Sequence, residues 1–374
     1  MINSTTKNTL RTLVVPMNWG LGHATRLIPV IRELKNTGTE VLLGGSPLHQ
    51  KIIQEDIAGL ETVELPSLNI RLSGHKTQVF SLTLQLPIFL FQILKEHLAL
   101  RKLIREKGID IVISDNCYGL WNRSVYTVFI THQLQIKLPR NIRFFEKTVN
   151  RINSFFIRKY NECWVPDMEE AGGFAGELSH TLKKKHNIKY MGILSRFMPE
   201  EFNVTEARKN RKKRILFILS GPEKQRTVLE TIIRQEIRNI SEEYDYTVIR
   251  GQLSTTDNDT GLWLAHANSG EMFRLIQEAS IVICRAGYST IMDLLTLKKP
   301  AILIPTPGQT EQEYLAKYLS GKGYFYSCKQ HLFRVRPVIS EFEKQHFIHS
   351  SILVNNRIED YIKTFVKDRL QEKK

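Results

Sequence analysis

The feature that most constrains this chain is a junction near its start. Leu13 to Pro16 is a short apolar run, and Asn18-Trp19-Gly20-Leu21-Gly22-His23 follows almost at once. Leu27, Ile28, Ile31 and Leu34 then recur at helical spacing up to Gly38. Val41 to Leu43 resumes an apolar run that ends at Gly44-Gly45. A buried strand, a glycine turn, an amphipathic helix and a second strand make a βαβ unit. Its crossover returns the chain to the same end, so the sheet is parallel.

The same grammar recurs. Ile109 to Ile113 leads into Ser114-Asp115-Asn116, and Val125 to Ile130 leads into Thr131-His132-Gln133. A second start follows the basic run Arg208 to Arg214. There Ile215 to Leu219 reads as a strand, Ser220-Gly221-Pro222 as a turn and Val228 to Ile240 as a helix. Tyr246 to Ile249 and Ile281 to Cys284 are further strands. Arg285-Ala286-Gly287 turns into a helix from Ser289 to Leu297, and Ala301 to Ile304 closes the series before Pro305. Two α/β halves joined near Gly192 to Lys213 are the natural parse, and 374 residues accommodate them at about 150 residues per domain.

A chain this long, 42% hydrophobic and 24% charged, can bury a core without disulfides. The four cysteines are scattered with no CxxC, which argues against structural zinc and for a reducing, cytoplasmic setting. The polar start, Met1 to Arg11, does not read as a signal peptide. Lys and Arg exceed Asp and Glu by 15, so polyanionic partners are expected: nucleic acid, anionic lipid or phosphorylated small molecules. Nucleic acid is the weakest of these, because charge explains none of the glycine turns and no aromatic RNP pattern is present.

Val79 to Leu94 is greasy but shorter than the roughly 18 residues of a spanning helix, and Pro87 interrupts it. Lys95, Arg101, Lys102, Arg105 and Lys107 follow. The stretch reads either as a core helix or as one lying in an anionic membrane interface.

The turns suggest what is held. Gly20 and Gly22 let a ligand approach the backbone at a helix start, which favours negative charge. A dinucleotide fold is disfavoured: the third glycine of GxGxxG is absent, and Gly44-Gly45-Ser46 stands where a ribose-binding acid belongs. No P-loop occurs. His23 sits at the exposed helix start, either as a general base near neutral pH or as a cap of the turn. Arg285 is expected to pair with phosphate oxygens, with Gly287, Ser289 and Thr290 offering backbone N–H groups and hydroxyls. Asp293 either complements the helix dipole or accepts ribose hydroxyls. Gln312 and Glu313 suit sugar hydroxyls, and Ser220-Gly221 is a further anion-receptive turn. Asp257-Asn258-Asp259 lies in a polar loop that turn chemistry explains without a metal.

Trp19-Gly20-Leu21-Gly22-His23, Ser220-Gly221, and Cys284-Arg285-Ala286-Gly287 with Thr290, Asp293, Pro300, Pro305 and Gln312 together resemble family 28-type glycosyltransferases of the GT-B fold. That group includes the N-acetylglucosaminyltransferase of the lipid-linked peptidoglycan precursor. The resemblance implies two Rossmann-like parallel-sheet domains facing across a cleft: residues 1–195 for the acceptor, a linker at 196–213, residues 214–350 for a nucleotide sugar, and a C-terminal helix at 351–374 packing back on the first domain. It implies a UDP-sugar donor held by Ser220, Gly221, Arg285, Gly287, Ser289, Thr290, Asp293, Gln312 and Glu313. The acceptor lies by Gly20, Gly22, His132 and Gln133, with His23 as base. The reaction expected is inverting transfer to an acceptor hydroxyl without metal or other cofactor, the acceptor lipid-linked at the inner membrane surface. The same fold also admits a nucleotide-sugar 2-epimerase and a non-catalytic UDP-sugar-binding scaffold. The family's paired glutamines, its His-Glu-Gln-Asn stretch and its fuller glycine turn are matched only in part by Gln312-Glu313, Thr131-His132-Gln133 and Gly20 to His23.

Overall fold

The computed structural model describes residues 9–66, 78–170, 172–180, 187–197, 212–221, 223–238, 240, 243–252, 263–348 and 358–373. In chain order the first half comprises β1 (Arg11–Pro16), α1 (Gly22–Thr25), α2 (Ile28–Asn36), β2 (Glu40–Gly45), α3 (Pro47–Asp56), β3 (Glu61–Glu64) and α4 (Gln78–Lys107). It continues with β4 (Ile111–Asp115), β5 (Tyr126–Ile130), α5 (Glu146–Ile157), β6 (Glu162–Val165) and β7 (Ile188–Tyr190). The second half begins with β8 (Lys213–Ile218), α6 (Gln225–Ile237), β9 (Tyr244–Ile249), β10 (Trp263–Leu264) and α7 (Ser269–Glu278). It goes on through β11 (Ile281–Cys284), α8 (Tyr288–Thr296), β12 (Ala301–Leu303), α9 (Thr310–Gly321), β13 (Tyr326–Ser327), α10 (Val335–Glu343) and α11 (Ile358–Glu372).

Two separate sheets result. The first runs β3-β2-β1-β4-β5-β6-β7 and the second β10-β9-β8-β11-β12-β13. Every pairing is parallel, with Leu13 opposite Leu42 on one side and Val112 on the other, and Phe217 opposite Val248 and Ile283. Both orders reverse beside the first strand of the half, between β1 and β4 and between β8 and β11. Open α/β sheets bind ligands at such switch points. The central strands are continuous apolar runs because helices cover both faces, and Leu13, Val14, Leu216 and Phe217 are wholly buried.

The edge strands β3, β7, β10 and β13 and the interior strand β6 were not legible as strands. Each is only two to four residues long, too short to show an apolar run. Helix α4 runs uninterrupted through Pro87, whereas the sequence suggests a break there. Among the described residues no helix is long and apolar enough to cross a membrane. The Asp257-Asn258-Asp259 loop and linker residues 198–211 lie outside the described residues.

The C-terminal helix α11 lies on the first half. Its Ile358, Ile362, Phe365 and Val366 join the cluster of Val30, Ile31, Leu34 and Trp164. The Phe365 ring meets Trp164 at 5.0 Å and Tyr126 at 5.7 Å, and Tyr361 Oη donates to Glu162 Oε2 at 3.0 Å. Phe174, Ala175, Leu178, Ile193 and Phe197 from the first half are buried in the core of the second, so the halves share apolar surface as well as chain. Phe365→Ala should therefore destabilise the first half by about 3–5 kcal/mol, the usual cost of emptying an aromatic core site. Urea unfolding measures this, and an unchanged midpoint would show that α11 adds nothing to the fold.

Candidate active site

The site grows from the C-terminal end of β1. The turn after it crosses Gly20 at φ +74, a left-handed conformation in which a side chain would be strained. His49 steadies this turn. Its Nε2–H donates to the Gly20 carbonyl at 3.0 Å, and its Nδ1 accepts from Ser46 Oγ at 2.7 Å. Burial lowers the His49 pKa and keeps the ring neutral. The turn delivers His23 to α1, facing the end of the neighbouring strand β4.

That strand ends in Asp115, which is wholly buried. Asp115 Oδ2 lies 2.9 Å from His23 Nδ1 and accepts from Arg26 Nε at 2.8 Å, while Oδ1 accepts from Arg26 Nη2. Burial alone would favour the protonated acid. The guanidinium and His23 outweigh it and hold Asp115 below the usual carboxylate range. With the His23 proton on Nδ1, shared with Asp115, the Nε2 lone pair is free for a substrate proton. Asp115 and Arg26 were missed as site residues. The available signal was an acid closing the strand beside the one that carries the glycine turn.

His132 and Gln133 reach the same place from the end of β5. Arg26 Nη1 donates to His132 Nδ1 at 3.1 Å, and His132 Nε2 lies 2.7 Å from Glu311 Oε1 on α9. Gln133 Nε2 donates to Glu311 Oε2 at 2.5 Å. His132 also stacks on Tyr288, with centroids 4.0 Å apart and planes within 2°. The expected acceptor-side pair is thus engaged by the opposite half. Gly22 likewise meets Ser289: Ser289 Oγ donates to the Gly22 carbonyl at 2.8 Å, and a Cβ at Gly22 would lie 2.9 Å from that hydroxyl. Thr290, half-buried, follows in the first turn of α8, with Gly287 at the N-cap.

Arg285 and Asp293 are both engaged within the protein. Arg285 has no solvent exposure. Its Nη1 donates to the Ile304 carbonyl at 3.2 Å and its Nη2 to the Gln225 carbonyl at 2.9 Å. Burial pulls the guanidinium down to about 10, and it ties the start of α6 to the residue that follows β12. Asp293 is also committed: Oδ1 accepts from Ser195 Oγ at 2.7 Å and Oδ2 from Arg196 Nε at 3.1 Å. It anchors the chain entering the linker.

The remaining residues frame a loop after β12. Gln312 Oε1 accepts from Thr306 N at 2.9 Å, and Glu313 Oε1 from Gly308 N at 3.0 Å, so both side chains order the loop that would meet a sugar. Gly221, at φ +101, would place a Cβ 3.7 Å from Thr306 Oγ1, setting the Ser220-Gly221 turn against that loop. Among the described residues no group of three or more His, Cys, Asp or Glu side chains could hold a metal.

A small pocket opens beside the glycine turn, lined by Met17, Asn18, Gly45, Glu96, Asn116 and Cys117 among others. Glu96 Oε2 accepts from Gly119 N at 3.0 Å, and burial raises its carboxyl from 4.5 to about 7. The folded protein therefore holds a proton that the unfolded chain loses near 4.5. The resulting stabilisation is complete below that pH and disappears as pH rises through about 7. Glu96→Gln should match wild type in stability at the acid end and exceed it by up to about 3 kcal/mol at pH 8. Denaturant unfolding at the two pH values checks this; a constant difference would refute it.

Two facing parallel-sheet domains with a polar site where both sheets end define a GT-B architecture. The chain is a glycosyltransferase, and residues 216–345 match the glycosyltransferase family 28 C-terminal domain. It is 24% identical over 320 residues to an uncharacterized glycosyltransferase of Methanosarcina acetivorans, covering 82% of each chain. It is 22% identical over 364 residues to the UDP-N-acetylglucosamine--N-acetylmuramyl-(pentapeptide) pyrophosphoryl-undecaprenol N-acetylglucosamine transferase of Staphylococcus carnosus, covering 94% of this chain and 93% of that one. The kitacinnamycin glycotransferase has the same fold, with a TM-score of 0.66, 13% identity and coverage of 97% and 99%. So does the MurG of Acinetobacter baumannii, with a TM-score of 0.51, 11% identity and 97% of each chain covered.

Proposed function

We propose that this glycosyltransferase moves a sugar from a UDP-sugar to an acceptor hydroxyl with inversion at the anomeric carbon, using His23 as general base. The observation that carries the reading is the contact between His23 Nδ1 and the buried Asp115 carboxylate at the mouth of the cleft. His23 Nε2 takes the acceptor proton as the acceptor oxygen bonds to the anomeric carbon, and the bond to the donor's β-phosphate oxygen breaks. The charge that develops on the departing UDP would meet the backbone N–H groups at the start of α8, among them that of Ser289, the Thr290 hydroxyl, and the Ser220-Gly221 turn. The sugar would lie against the loop ordered by Gln312 and Glu313. A UDP donor is supported by the family match and by the name of the Staphylococcus carnosus relative.

The test is UDP release from a panel of UDP-sugars, with and without lipid extract. Acceptor-dependent release supports transfer, whereas interconversion of the donor alone would identify an epimerase. His23→Ala should lower turnover by about two to four powers of ten with UDP affinity intact. Survival of turnover within a small factor would make His23 structural, and loss of UDP affinity would make it a phosphate ligand.

A lipid-linked acceptor at an anionic membrane surface is the second part of the proposal. Helix α4 exposes Ile88, Leu90, Phe91, Leu94 and Leu98, with Phe91 57% exposed. Helix α5 and the 3₁₀ turn before it add Phe144, 73% exposed, and Phe155. Phe89, Tyr118 and Phe156 join the two elements edge to face. Lys95, Arg101, Arg143, Lys147 and Arg151 lie on the same elements. Such a surface suits apolar insertion with basic residues on phosphate headgroups. In flotation with phosphatidylglycerol vesicles, wild type should bind at low salt and release at high salt, and Phe91→Ser/Phe144→Ser should fail to float. Wild type that stays unbound at low salt would leave a soluble acceptor.

A further inference from the structure

The two glycines of the first turn are glycines for different reasons. Gly20 needs its left-handed φ of +74, and a Cβ there would meet nothing within 4 Å. Gly22 opens α1 without a left-handed φ. Among the described residues, and outside its chain neighbours and its own helix, a Cβ at Gly22 would meet only Ser289, with Oγ at 2.9 Å and Cβ at 3.1 Å. Carbon atoms pack best at about 3.5–4.0 Å, so any side chain at this position must push α8 away. The missing Cβ is what lets the two halves approach so closely here.

Helix α1 is a single turn, Gly22–Thr25, too short to hold itself in place. Its position is set from two sides. Behind it, His23 and Arg26 grip Asp115 of the first half. In front, Ser289 Oγ donates to the Gly22 carbonyl at 2.8 Å, the same oxygen that accepts from Arg26 N at 3.2 Å. We infer that Gly22 and Ser289 form a stop between the two halves, which fixes the distance from His23 to a donor at the start of α8. Ser289 is then a positioning residue: its hydroxyl holds the glycine turn, while its backbone N–H is left for the donor phosphate. The inference rests on the reading of His23 as base and of α8 as the phosphate site. The acceptor oxygen must lie between His23 Nε2 and the anomeric carbon, so parting α1 from α8 lengthens that path. A misplacement of about 1 Å in such a path costs on the order of 100-fold in rate.

The experiment uses the full chain. Gly22→Ala and Gly22→Val grade the overlap, and Ser289→Gly removes both atoms that a new side chain would meet. With the UDP-sugar that wild type consumes, kcat should fall about 10-fold in Gly22→Ala and about 100-fold in Gly22→Val. UDP affinity by calorimetry should stay within about twofold of wild type, because the phosphate site belongs to the second half. In a Ser289→Gly background the cost of Gly22→Ala should vanish, which strain confined to α1 would not allow. Two backbone N–H groups that donate across the halves give a reading without substrate: Glu177 N to Tyr314 Oη at 2.8 Å, and Ser269 N to Asp56 Oδ1 at 3.2 Å. Both should exchange hydrogen faster in Gly22→Val and slow again when Ser289→Gly is added. A Gly22→Val protein that binds UDP normally and turns over within about twofold of wild type overturns the inference. So does a cost of Gly22→Ala that Ser289→Gly leaves undiminished. If exchange responds and is rescued but wild type consumes no UDP-sugar, the stop between the halves stands and the transferase chemistry assigned to His23 falls.

Discussion

A carboxylate without access to water sets the terms for the rest of this site. Removing Asp115 from solvent would cost several kcal/mol if it were left alone. The cost is offset because Arg26 presents two donors to it and His23 a third. Those partners must be near, so β4 has to end beside β1, and the glycine turn has to bring α1 back over both strands. The parallel order β2-β1-β4 meets that requirement by placing a switch point directly under the turn.

The buried network does not stop at the boundary of the first half. Arg26 spends its remaining donor on His132, which spends its own proton on Glu311 from the second half. Ser289 on Gly22 and Ser195 on Asp293 add two further polar ties between the same surfaces. Arg26, Asp115 and His132 are buried within the network, which strengthens the electrostatic contacts they make. The network is also conditional: separating the halves would part Glu311 from His132 and Gln133, and Asp293 from Ser195. Apolar contact from Phe174, Leu178 and Phe197 into the second core works in the same direction, so closure is favoured by burial as well as by hydrogen bonding.

How legible the site was depended on how local its interactions are. His23 could be found because a histidine at a glycine-lined helix start has few structural uses. Glu96 could not, since its raised proton affinity comes from burial of its face of α4 against the rest of the first half. The burial of Arg285 was not legible, because its position at a strand end is the same whether the side chain points to the cleft or folds under the strands. Nor were the partners of Asp293, since residues 195 and 196 lie nearly a hundred positions away in sequence.

The sequence by itself determined the two parallel sheets, their central strands other than β6, and the glycine turns, because apolar runs and backbone freedom are properties of neighbouring residues. The tertiary structure decided the short edge strands, the docking of α11 on the first half, and the partners of every buried charge. Those are long-range choices. A carboxylate or guanidinium is placed by whichever opposite charge the fold brings within hydrogen-bond reach, and that distance is written in the packing of the two halves rather than in the order of residues along either one.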